Sequence, residues 1–133
     1  MKLFHVSSKY LGETVGLCPR IPLGQSIYER QGRFKNIPRI CCGDTILKCL
    51  YGITKMKLNK IMYVYIAASR TRNMDFDSPR DACNDWEITE EIWVTEPTEF
   101  KFISAIRIEN LDLCEQEIDF KKIKYGETSM SGQ

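Results

Sequence analysis

The chain is poor in metal-binding and phosphate-cradling signals. It holds one histidine, His5, among 133 residues, and its six cysteines form no Cys-x-x-Cys pair. Structural zinc sites draw on such pairs or on several imidazoles, so no metal is expected. Adjacent Cys41 and Cys42 cannot both point inward from one strand. There is no charge excess either: 19 Lys+Arg against 18 Asp+Glu leave a net charge of +1. Without a basic field the chain is not expected to bind nucleic acid in general. No stretch approaches the roughly 18 apolar residues of a membrane helix. The opening MKLFHV is broken by His5 before polar residues return, unlike a secretory signal. The expected setting is therefore the cytoplasm, with no membrane partner and with reduced thiols serving mostly as small core residues, Cys49 most clearly. G-x-x-x-x-G-K-[ST], G-x-G-x-x-G and G-x-S-x-G are all absent, which removes the common phosphate-loop and hydrolase signatures.

What is present fits one globular domain over residues 1–125, with 126–133 (GETSMSGQ) as a disordered tail. Hydrophobic residues make up 43% and charged residues 28%, enough to build a core and keep a polar surface. LFHVSS at 3–8 has strand character and carries His5. Gly12 to Pro38 is marked by glycine and proline and is long enough to be a binding loop, with one helical turn expected at 26–31. PRICCGDTILKCLYGIT predicts a strand, a turn at Gly43-Asp44 and a helix. Asp44 is the expected cap, and Ile46, Cys49, Leu50 and Ile53 form a buried stripe.

KIMYVYIA at 60–67 is apolar and rich in β-branched and aromatic residues, as an interior strand requires. A polar excursion follows, with Ser78-Pro79 as a cap and with Arg70 and Arg72 placed to meet an acidic or phosphate partner. Two runs come next, Ile92 to Val94 and, beyond Pro97, Phe100 to Ile108. They are expected to be two strands of one sheet, with a bulge at 103–105. The segment from Leu111 to Tyr125 reads equally as helix or strand. This order points to an α+β fold with a mixed or antiparallel split β-sheet and few helices.

Three pieces, LFHVSS, PRICCGDTILKCL and EEIWVTEPTEFKF, resemble in this order the ADP-ribosyltransferase family. That family has a first strand with a His-Gly or Arg-Gly signature, a middle strand followed at once by a helix, and a late strand opened by a glutamate. Here Val6 stands after the histidine, Ile40-Cys41-Cys42 replaces the family's tyrosine or Ser-Thr-Ser, and Thr89 stands two residues before Glu91. The resemblance implies an NAD-dependent mono-ADP-ribosyltransferase with a protein or nucleic-acid acceptor, in a small form suited to a toxin or a phage or mobile-element effector.

By that resemblance Glu91 is the catalytic carboxylate. His5, Val6 and Ser7 line the cofactor, and Arg39 meets its pyrophosphate. NAD would be a substrate and no metal would be needed. The alternative is a catalytically inactive binding protein on the same scaffold, an inhibitor that sequesters a nucleotide-like ligand or blocks a partner protein. Val6 and Cys41-Cys42 favour that alternative, and Glu91 with His5 favours catalysis.

Overall fold

The computed structural model describes residues 2–21, 38–52, 60–68, 76–77, 92–110 and 123–129. Their order is β1 (Phe4–Ser7), β2 (Thr14–Leu17), β3 (Ile40–Cys42), α1 (Ile46–Gly52), β4 (Ile61–Ala67), β5 (Phe76–Asp77), β6 (Ile92–Val94), β7 (Thr98–Ile108) and β8 (Tyr125–Thr128). Among the described residues every strand pairing is antiparallel. The strands form two sheets, one of β1-β4-β7-β2 with β8 also on β7, the other of β3-β6-β5. Ile53, the turn at 26–31, Arg70, Arg72, the Ser78-Pro79 cap and residues 111–122 lie outside the described residues.

β7 is the spine of the larger sheet. Its 11 residues pair with β4 along one edge, while the other edge takes β2 at Thr98 to Lys101 and β8 at Ala105 to Ile108. Alternation buries Phe100 and leaves Glu99 and Lys101 exposed, as a strand with one wet face requires. The register slips once. Tyr65 faces Phe102 and Val64 faces Ser104, so Ile103 is the extra residue of the expected bulge.

Two apolar clusters sit on opposite faces of this sheet. Cys49 and Leu50 of α1 join Val6, Met62, Val64, Ile106, Ile108 and Ile123 on one side. On the other, Leu3, Tyr65 and Phe100 meet Ile40, Cys42 and Val94 of the smaller sheet. The architecture is therefore helix, large sheet, small sheet. The chain at β1 contributes to both interfaces, because Val6 of β1 points to the first cluster and Leu3, just before β1, to the second.

The structure corrects four expectations. β6 and β7 do not share a sheet: β6 pairs with β3 and β5, whereas β7 pairs with β4, β2 and β8, and residues 95–97 carry the chain from one sheet to the other. The long segment after Gly12 contains β2 rather than running as a loop throughout. Gly126 to Thr128, assigned from sequence to a disordered tail, pair with β7 from Ala105 to Arg107. Finally, the helix cap is Thr45, whose Oγ1 accepts from Lys48 N–H at 3.1 Å. Asp44 makes an ion pair with Lys48 at 2.9 Å instead.

Candidate functional site at the seam of the two sheets

Among the described residues the sheets touch backbone to backbone at two isolated bridges, Arg20 after β2 opposite Arg39 before β3 and Phe4 of β1 opposite Gly43 after β3. Phe4 N–H donates to Gly43 C=O at 2.8 Å and Gly43 N–H to Phe4 C=O at 3.0 Å. In a continued antiparallel ladder the next such pair would be Val6 with Cys41. That pair is not made. The Cys41 carbonyl instead accepts from the His5 ring, Nδ1 to O 2.9 Å. Strand alternation turns the Val6 peptide N–H and C=O to the same edge as those of Phe4, toward β3.

Gly43 is what allows α1 to pack so close to its bridge with Phe4. A Cβ there would lie 3.1 Å from Cys49 N and 3.2 Å from both Cys49 Sγ and Lys48 Cβ. Cys49 Sγ in turn donates to Phe4 C=O at 3.2 Å, which ties α1 to the same point.

His5 is half-buried, with its ring 5.8 Å from that of Phe100. Burial is the main cause that lowers its pKa below the ordinary 6.5. The nearby charge of Arg20 acts in the same direction, and the bond to Cys41 opposes it. The ring is therefore neutral at pH 7. A carbonyl can only accept, so Nδ1 carries the proton and Nε2 offers a lone pair. A hydroxyl meeting Nε2 would therefore donate to the ring rather than accept from it.

Opposite His5 in β4 is Tyr65, whose fully buried side chain shares that face. Its hydroxyl accepts from Leu11 N–H at 2.8 Å and donates to Gly12 C=O at 3.0 Å. Gly12 has φ of 97°, a conformation open to glycine, so the segment that leaves β1 is held by one phenol and one permissive residue. Beyond it Tyr10, Tyr63 and Phe102 form an edge-on aromatic group, with Tyr10 5.3 Å from Phe102 and 5.8 Å from Tyr63.

The other expected residues fall unevenly. Val6 is buried in the first apolar cluster, so its side chain does not line a ligand. Ser7 is half-buried on the face of Tyr63, and its Oγ accepts from Lys9 N–H at 3.1 Å. Glu91 lies outside the described residues. Its successor Ile92 opens β6 opposite Cys42.

Arg39 is only 2% exposed, and its guanidinium carbon lies 3.8 Å from the Trp93 ring centroid, a cation–π stack. It occupies the face of β3 shared with Cys41 and Trp93, while Ile40 and Cys42 point to the other face. Arg20 was not singled out from sequence. The signal was available: Pro19-Arg20-Ile21 repeats as Pro38-Arg39-Ile40, and in the fold the two arginines pair directly.

Among the described residues no group of His, Cys, Asp and Glu could hold a metal ion, and no helix is long and apolar enough to cross a membrane. Compared with protein-family models, with curated proteins and with solved structures, the chain finds no match in any of the three.

Proposed function

We propose that the chain binds NAD in the seam between β1 and β3 and transfers its ADP-ribose to a protein or nucleic-acid acceptor, as the resemblance to ADP-ribosyltransferases implies. The observation that carries this reading is that backbone pairing between β1 and β3 stops after the Phe4–Gly43 pair, with His5 bonded to Cys41 beside it. A carboxamide needs one donor and one acceptor side by side, which the Val6 peptide edge offers. A ribose needs a partner for its hydroxyl, which the neutral His5 offers at Nε2. Two further features support it: β3 is followed at once by α1, and β6, next in sequence to Glu91, pairs with β3.

In the proposed reaction the bond from the ribose anomeric carbon to the nicotinamide nitrogen breaks. The electron pair leaves with nicotinamide, and positive charge develops on the sugar. The Glu91 carboxylate would stabilise that charge and orient the ribose for attack by the acceptor. Glu91→Gln keeps the shape and removes the charge. Its expected effect is a loss of label transfer from NAD of about a hundredfold or more, with NAD binding retained. Unchanged transfer would exclude Glu91 as the catalytic group.

A second reading, an inactive nucleotide-binding inhibitor, is favoured by Cys41. It stands where the family's β3 offers an aromatic or hydroxyl group, and it meets Trp93 across the ladder instead. NAD binding with no release of nicotinamide by the unaltered protein would select this second reading.

A further inference from the structure

Arg20 and Arg39 face each other as an isolated antiparallel bridge. Arg20 N–H donates to Arg39 C=O at 3.2 Å, and Arg39 N–H to Arg20 C=O at 2.8 Å. Residues that exchange both bonds sit about 5.5 Å apart at Cα, with their side chains on one face. Two cations so placed disfavour the pair unless something negative accompanies them. Each follows a proline, which fixes the backbone as it enters the bridge. Their fates differ: Arg39 is buried and held over Trp93, while Arg20 is exposed. The Arg20 charge also reaches His5, where it disfavours the protonated ring. The exposed guanidinium thus belongs to the same bridge as the buried cation.

We propose that Arg20 is the residue of the seam that contacts a ligand phosphate, with the buried Arg39 charge behind it adding to the local positive field. The chemistry is that of a guanidinium donating two hydrogen bonds to a phosphate or pyrophosphate oxygen pair. The inference revises the assignment of Arg39, whose buried guanidinium becomes a positioning charge while Arg20 becomes the contact. It deepens the NAD reading above and rests on it for the identity of the ligand.

Calorimetric titration of the full chain with NAD, nicotinamide riboside and inorganic pyrophosphate tests this in wild type, Arg20→Ala and Arg20→Lys. Arg20 is exposed, so both variants are expected to melt as wild type does. The expected result is that Arg20→Ala weakens NAD about tenfold to a hundredfold and leaves nicotinamide riboside unchanged. Arg20→Lys should recover only part, because an ammonium cannot form the paired contact. The wild-type advantage should also shrink as salt rises.

NAD binding equal in wild type and Arg20→Ala overturns the inference while leaving the NAD reading intact. Pyrophosphate bound through Arg20 by a protein that does not bind NAD supports the anion site and removes the NAD reading. If wild type binds neither NAD nor pyrophosphate, the inference fails as well.

Discussion

Tyr65 has no exposed surface, yet its hydroxyl makes two hydrogen bonds to the chain that leaves β1. Removing that oxygen strands Leu11 N–H and Gly12 C=O, so Tyr65→Phe should cost about 1–3 kcal/mol in urea unfolding. A cost below a few tenths of a kcal/mol would mean that water replaces the phenol freely. His5 adds a dependence on pH. Its folded pKa is lowered, so the unfolded chain binds this proton more readily. The stability contribution is at its full value above the unfolded pKa near 6.5. It falls as pH drops through that value toward the lower folded pKa, and it levels off below it. Melting curves between pH 5 and 7.5 should therefore show an acid loss that His5→Gln lacks. An identical loss in the variant would assign it to carboxylates instead. The direction of the shift was not legible in the sequence, because it depends on the burial of His5, on the Cys41 carbonyl and on Arg20.

At the scale of elements, Gly43 carries the join between β1, β3 and α1. Gly43→Ala would press a methyl group against Cys49 and Lys48 of α1, and a shift of helix against seam is expected to cost about 1–3 kcal/mol by thermal or chemical unfolding. Wild-type stability in this variant would show that α1 yields easily.

β1, β3, α1, β4 and the bulge in β7 were readable because each follows from local alternation or helical spacing. IMYVYIA has hardly any alternative to an interior strand, and Phe100 between Glu99 and Lys101 is a plain alternation. β2 was hidden by Gly16 inside TVGL, and β8 by Gly126 and the polar ends of YGET, since glycine argues against strand wherever pairing does not override it. The separation of β6 from β7 was illegible for another reason. Sheet membership is a long-range property, and Pro97 marks a turn without saying which sheet follows it.

On the scale of the whole molecule, two antiparallel sheets meet, among the described residues, at two isolated backbone bridges, and a neutral histidine sits beside one of them. The resemblance to ADP-ribosyltransferases, through LFHVSS, is what directed attention to His5 and Val6. It did not show that Arg39 would be buried under Trp93 or that Arg20 would lie opposite, since both depend on pairing across 19 residues. The central claim is that this seam holds NAD, and thermal shift with NAD on wild type, His5→Ala and Glu91→Gln tests it most directly. NAD should raise the melting temperature of wild type and of Glu91→Gln, and His5→Ala should lose most of that rise. No rise in wild type at millimolar NAD, or an equal rise in His5→Ala, would contradict an NAD site at this seam.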